Sequence, residues 1–313
     1  MSIQNSAEKT LYGGVNAAVA TPMMKDFSID LERMANHCNW LLRNGCDGLG
    51  ILGTTGEANS LGIAERIYVM EGLVERGIPA ERLLPGVGTT ALTDTVKLAS
   101  KARDLGCRGV LALPPFFYKN PSDDGLFRYF SEVIERIGAP PSIYLYHFPQ
   151  QSMVPISVDL IRRLLKAYPG VVKGVKDSSS DFANTSEYVH QFAEQGFEVY
   201  CGDDSHLHSL LSIGGAGCIT AASNVTCKLN AEVYANRANP AGEAAQTALS
   251  ALRKVITSVP LIPGLKSLLA HQYNDPDWTN IRPPHLKLSQ AVEAPFFSEF
   301  DKCTSNQGKT PSH

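Results

Sequence analysis

Lys176 closes the apolar run Val171-Val172-Lys173-Gly174-Val175-Lys176. Near-continuous hydrophobicity of this kind is what a strand covered on both faces requires. Side chains alternate along a strand, so Lys176 shares a face with Val172 and Gly174 while Lys173 points the other way. A lysine at an inward strand end is desolvated, which disfavours the ammonium form. The neutral amine is the nucleophile needed to attack a ketone carbonyl. Gly174 is expected to leave room for a substrate beside it. The competing reading is a lysine that snorkels from the strand end to water. Spacing alone does not separate the two.

Other apolar runs also end in polar side chains. Gly53-Thr54-Thr55-Gly56-Glu57 offers backbone N–H groups and two hydroxyls, a small anion cradle; a simple turn is the alternative. Tyr144-Leu145-Tyr146-His147-Phe148-Pro149 brings a phenol to a strand end. Pro114 to Tyr118 brings the aromatic residues Phe116, Phe117 and Tyr118, which suit a subunit interface. Asp203-Asp204 reads either as paired carboxylates or as caps for the following helix. His147 is expected to be a hydrogen-bonded structural histidine, and Glu57 and Asp177 structural partners. His206 and His208 do not share a helix face, so no metal site is expected there. The seven cysteines contain no CxxC pair, which argues against a disulfide framework and against a paired-cysteine zinc site. Buried free thiols in a reducing cytoplasm are expected.

Positioning these groups requires a scaffold. Eight short β-branched runs read as buried strands: Val15–Ala20, Gly48–Leu52, Leu83–Val87, Gly109–Leu113, Ile143–Tyr146, Val171–Lys176, Glu198–Cys201 and Cys218–Thr220. Amphipathic stretches between them read as helices, among them Leu31–Asn44, Ile63–Arg76 and Gly125–Ile137. Ser122 and Ser157 suit helix starts. Gly45, Gly77, Gly106, Gly138, Gly196 and Gly214 each follow a helical stretch, where a left-handed residue is wanted. Eight strand–helix units predict an α/β fold, a (β/α)8 TIM barrel with additional C-terminal helices. An open doubly wound sheet is the rival, but no GxGxxG follows the first strand. The 313 residues divide into an expected barrel over 1–225, a C-terminal helical region packed on it over 226–300, and a disordered polar tail over 301–313.

The net charge is −3, with none of the clustered Lys and Arg of a nucleic-acid footprint. No apolar stretch approaches the ~20 residues of a membrane span. Met1 to Thr10 is polar and lacks the apolar core of a signal peptide. A cytoplasmic enzyme is expected, with no nucleic-acid or membrane partner.

The motifs GTTGE (Gly53–Glu57), YxxP (Tyr146–Pro149), GVK (Gly174–Lys176), GDD (Gly202–Asp204) and GGAGCI (Gly214–Ile219) occur in this order. Together they resemble the dihydrodipicolinate synthase / N-acetylneuraminate lyase family from about Gly14 to Pro284. The resemblance implies that Lys176 forms a Schiff base with pyruvate and that Tyr146 shuttles protons near the imine. It implies that Thr54 and Thr55 bind the pyruvate carboxylate, with Thr55 also in the relay. A phenol beside a cationic iminium is a sensible relay. Gly53 belongs to the same cradle, Ile219 is implied to place its backbone carbonyl near the substrate, and Asp204 to contact substrate hydroxyls.

Two positions depart from the family pattern. Dihydrodipicolinate synthases usually carry an arginine two residues after the YxxP proline, which grips the carboxylate of an aldehyde acid through a two-pronged contact. Here that residue is Gln151. The family also often donates a tyrosine to the neighbouring subunit's site where this chain has Phe117, so either Tyr118 takes that role or the proton relay is shorter here. The resemblance therefore implies a class I (Schiff-base) carbon–carbon lyase that reversibly joins pyruvate to an aldehyde. The covalent imine serves in place of a cofactor, and no metal is needed. The Gln151 departure favours a 2-oxo-3-deoxy sugar acid aldolase or an N-acetylneuraminate lyase-like enzyme. A 4-hydroxy-tetrahydrodipicolinate synthase, a sugar-acid dehydratase and a non-catalytic 2-oxo acid sensor are the alternatives. A homotetramer built as a dimer of dimers is implied by the same resemblance.

Overall fold

The structure is a computed structural model and describes residues 13–305. Seven parallel strands form one sheet: β1 (Val15–Ala18), β2 (Gly48–Gly50), β3 (Gly109–Ala112), β4 (Ser142–His147), β5 (Val172–Asp177), β6 (Glu198–Cys201) and β7 (Gly217–Thr220), in the order β2-β1-β7-β6-β5-β4-β3. The chain at 83–87 fills the gap between β2 and β3. The N–H groups of Leu84 and Gly86 donate to Leu49 and Ile51 carbonyls at 2.9 and 2.8 Å; the Val87 N–H donates to Leu111 at 2.9 Å. The expected eighth strand is thus present as isolated bridges rather than a regular ladder. Pro85 sits at its centre and has no N–H to donate. With this segment the sheet closes into a (β/α)8 barrel.

Eight helices alternate with the strands and surround the barrel: α1 (Leu31–Arg43), α2 (Ile63–Glu75), α3 (Leu92–Asp104), α4 (Asp123–Ile137), α5 (Val158–Ala167), α6 (Phe182–Phe192), α7 (Leu207–Ser212) and α8 (Ser223–Ala235). The Ser122 and Ser157 hydroxyls accept from Gly125 and Leu160 N–H, capping α4 and α5 as expected. Gly138 and Gly196 end helical stretches with φ of 80° and 79°, a conformation that costs glycine little. Three further helices follow: α9 (Pro240–Ile256), α10 (Leu261–Tyr273) and α11 (Gln290–Ser305).

Alternation along the strands makes two cores. Val110, Ile143, Leu145, Val175 and Val199 pack outward among the helices. Ala18, Leu84, Leu111, Tyr144, Tyr146, Tyr200 and Ile219 pack together inside the barrel. Low in that lumen, the Tyr144 and Tyr200 hydroxyls both donate to Glu198 Oε2, at 2.8 and 2.7 Å.

The disordered tail expected over 301–313 is helical as far as Ser305. Helix α11 continues to Ser305 because Phe296, Phe300 and Cys303, spaced for one helix face, pack against the protein. Residues 306–313 lie outside the described residues, as does the polar N-terminus Met1 to Thr10. All seven cysteines are unpaired, six of them buried. No single helix among the described residues is long and apolar enough to cross a membrane.

Candidate active site

Lys176 stands in register with Tyr146 of β4 and Tyr200 of β6. Registered residues of neighbouring parallel strands share a face, so Lys176 points into the lumen with both tyrosines. It is 4% exposed, whereas Lys173 is exposed on the outside. The Lys176 Nζ lies 4.4 Å from the centroid of the Tyr146 ring. Among the described residues no carboxylate forms an ion pair with it, every such pair within 4.0 Å lying elsewhere. The snorkelling alternative fails on this geometry.

The Tyr146 hydroxyl is 3.4 Å from Thr54 Oγ1. Thr54 belongs to a tight turn in which the N–H groups of Glu57 and Ala58 donate to Thr54 and Gly53 carbonyls at 3.1 and 3.2 Å. Leu52 and Glu57, at its two ends, both take φ of 55°. Non-glycine residues enter this region only when their surroundings impose it. For Glu57 the surroundings are plain. Its carboxylate is ion-paired with Lys266 of α10, both side chains being essentially inaccessible, and it accepts from the Arg282 N–H at 3.3 Å. Lys266 also donates to Asn280 O at 2.8 Å. Burial pulls the Lys266 ammonium below its usual range, and Glu57 opposes the shift. The C-terminal helices therefore anchor the threonine turn.

Helix α2 contributes a group that the motifs did not indicate. Arg66 is 2% exposed, and its Nη2 donates to Gly86 O at 2.6 Å. Its side chain lines a small cavity together with Gly53, Thr54, Asn59 and Tyr146. Burial lowers its pKa to about 10, with Asp94 opposing, so it stays protonated at neutral pH. The sequence signal was available: Arg66 falls on the stripe of Val69, Met70 and Leu73, the buried face of α2.

Several expected placements are corrected. Asp204 does not face the lumen mouth. It is 0% exposed, its Oδ1 accepts from Thr220 Oγ1 and Asn230 Nδ2, and Arg253 lies 3.7 Å from its Oδ2. Burial raises its pKa, opposed by Arg253. A substrate hydroxyl has no access to this carboxylate. Asp203 is a cap, accepting from Ser205 N–H. Gly174 does not make room for a ligand: a Cβ there would meet Glu198 O at 2.2 Å and the Tyr144 ring at 2.8 Å. Its missing side chain is required by the barrel's own packing.

The remaining residues divide clearly. Thr55 is buried beside Thr54, and Ile219 puts its side chain into the lumen cluster. His147 faces the helices; its Nδ1 accepts from Ile156 N–H at 3.0 Å, in keeping with a structural role. Asp177 accepts from Ser179 N–H, Asn184 and Thr185. Gln151 is exposed on the single helical turn Pro149–Ser152. Phe117 and Tyr118 pack edge to face at 5.3 Å and are 68% and 79% exposed. Neither joins the Lys176–Tyr146 pair within this chain.

Residues 11–297 match the model of the Dihydrodipicolinate synthetase family. The chain belongs to this family.

Among its relatives is a DapA-like lyase of uncharacterized function from Chloroflexus aurantiacus, 33% identical over 302 residues, which are 95% of this chain and 98% of that one. The crystal structure of dihydrodipicolinate synthase from Agrobacterium tumefaciens is similar at a TM-score of 0.86 and 30% identity, over 93% of this chain and 99% of that chain. YagE, a prophage protein of the dihydrodipicolinic acid synthase family from E. coli K12, crystallised in complex with pyruvate, is similar at a TM-score of 0.86 and 25% identity, over 94% and 99%. As a family member the chain is a pyruvate-dependent class I lyase that works on carbon–carbon bonds.

Proposed function

We propose that Lys176 forms the imine with pyruvate and that the enzyme is a 2-oxo-3-deoxy sugar acid aldolase or an N-acetylneuraminate lyase-like enzyme. The carrying observation is the array Lys176–Tyr146–Thr54: a buried amine without a counter-charge, 4.4 Å from a tyrosine ring whose hydroxyl meets a threonine at 3.4 Å. The amine attacks the 2-oxo carbon and water leaves. The resulting iminium draws electrons from the neighbouring carbon. Loss of a proton there gives an enamine that adds to an aldehyde; the reverse path cleaves a 4-hydroxy-2-oxo acid into pyruvate and an aldehyde. Tyr146 moves the proton together with Thr54, whose hydroxyl meets the phenol, rather than with the expected Thr55. The substrate carboxylate rests on Gly53, Thr54 and Thr55, with the Ile219 carbonyl nearby. No metal or separate cofactor takes part in this scheme.

The substrate class rests on Gln151. A neutral amide cannot give the charged two-pronged contact that a guanidinium gives a carboxylate. A second reading, 4-hydroxy-tetrahydrodipicolinate synthase, is favoured by the names of several relatives, including one from Acidiphilium cryptum at 34% identity. Assay of the pure protein with pyruvate plus aspartate semialdehyde, and separately with a panel of deoxy sugar acids, separates them. Efficient turnover of the semialdehyde would overturn the first reading. The exposed pair Phe117 and Tyr118 suits a homotetramer in which a neighbour covers it, and a cytoplasmic location fits the same reading. The expected boundary at 225 falls inside α8, so the barrel unit is taken to run through α8, with helices α9 to α11 as the region packed on it.

A further inference from the structure

Proton transfer at the substrate needs a path from Tyr146 to solvent. Among the described residues, the one hydrogen-bond partner of the Tyr146 hydroxyl is Thr54 Oγ1. Thr54 and Tyr146 together line one cavity, and the other polar side chains in its wall are Asn59 and Arg66. Arg66 is an unusual wall. Its guanidinium comes from α2, outside the barrel, and is almost fully buried. Nη2 is held by Gly86 O, but the buried Nε has no hydrogen-bond partner. Leaving one N–H of a buried charged group without a partner is costly, so a polar occupant is strongly favoured. The cavity opens to a water-sized sphere over about 20 Å³. That is room enough for a water. The site is also polar enough to hold it: Arg66 Nε–H can donate to the water, and the hydroxyls of Thr54 and Tyr146 can complete its bonds.

We propose that Arg66 is a positioning residue for proton transfer, its Nε fixing one water in the cavity beneath Thr54 and Tyr146. This rests on the imine at Lys176. When the enamine takes a proton at carbon, the Tyr146 hydroxyl gives it. The water held by Arg66 returns a proton to the tyrosine, directly or through Thr54, and is itself reprotonated from solvent. In the opposite direction each transfer reverses, and no electron moves to any other group. The guanidinium keeps its own protons throughout. The charges facing this corner are Lys176 from β5, Arg66 from α2 and, against Arg66, Asp94 from α3.

The experiment compares the wild type with Arg66→Met and Arg66→Lys. Two quantities are read for each: the borohydride-trapped pyruvate adduct on the peptide containing Lys176, and the rate at which pyruvate methyl protons exchange for deuterium in D2O, followed by NMR. Arg66→Met is expected to keep the adduct and to lose exchange by about tenfold or more, since a positioned proton donor contributes at least that much. Arg66→Lys, which still offers a charged donor, is expected to recover part of the exchange. Wild-type exchange in Arg66→Met would overturn the inference and leave the imine reading intact. Adduct, exchange and melting temperature falling together in both variants would reduce Arg66 to a packing role and overturn it too. Absence of a wild-type adduct on Lys176 would instead remove the imine reading itself.

Discussion

Lys176 and Tyr146 are registered partners on adjacent parallel strands, and the lysine nitrogen sits 4.4 Å from the centre of the tyrosine ring. Neighbouring strands lie about 4.8 Å apart and registered side chains share a face, so the pairing of β4 with β5 alone brings amine and phenol together inside the barrel.

Replacing the amine should end the chemistry at once. In Lys176→Ala, incubation with pyruvate and borohydride is expected to leave no adduct on the peptide spanning this position. An adduct of wild-type yield at some other lysine would show that the nucleophile has been misassigned.

Tyr146→Phe keeps the ring that stacks on Phe148 at 5.8 Å and lies beside Lys176. Only the hydroxyl is lost. Turnover is expected to drop by about 10²–10⁴-fold, the range for a general acid–base group, with the melting temperature nearly unchanged. A kcat within a factor of a few of wild type would exclude the relay.

Lys266→Met strips Glu57 of its counter-charge in a site where neither side chain reaches water. Removing one member of a buried pair costs about 3–5 kcal/mol. Denaturant unfolding is therefore expected to show a large loss of stability. The double variant Lys266→Met/Glu57→Gln should regain part of it, because no uncompensated charge then remains. Equal losses in the single and double variants would show that the pair is not the anchor of the turn.

Acid stability should carry the mark of His37. Its ring is enclosed by Tyr273, Trp278 and Asn224. Asn224 spends its Nδ2 on the Ala18 and Ala221 carbonyls, so its Oδ1 accepts from His37 Nε2–H. Burial lowers the histidine pKa from 6.5 to about 4. Between those values the unfolded chain binds the proton and the folded one does not. The stabilisation is thus complete above pH 6.5 and is lost as pH falls toward 4, about 3 kcal/mol in all. Unfolding free energies measured at intervals from pH 7 to 4 should fall in this window. His37→Gln should flatten that fall; an unchanged slope would assign it to other groups.

Gln151→Arg offers a guanidinium at an exposed position, so folding should be unaffected. Turnover of aspartate semialdehyde with pyruvate is expected to rise by about tenfold or more, the scale of one charge-assisted contact. No change in kcat/KM would mean that position 151 does not select the aldehyde.

Much of the scaffold was legible because its signals are local. Buried runs such as Val171–Lys176 announce strands, and Ser122, Ser157, Gly138 and Gly196 mark helix ends through backbone needs that a few residues settle. Residues 83–87 were legible as a buried run, but the missing N–H of Pro85 turns the ladder into bridges. The helical extent of α11 was missed because Phe300 and Cys303 gain their apolar partners only from distant chain.

The sequence by itself determined the order of strands and helices, which side chains of β5 share a face and the chemical types at the barrel mouth, since each follows from periodicity and residue chemistry within a short stretch. Only the tertiary structure decided which of those types meet. Asp204 went into a buried network with Thr220, Asn230 and Arg253, Gly174 made way for Tyr144 rather than for a substrate, and Arg66 came through from α2 to the wall beside Tyr146. These outcomes depend on close packing and charge pairing between segments tens of residues apart, where the balance of burial and hydrogen bonding exists only once the barrel has closed.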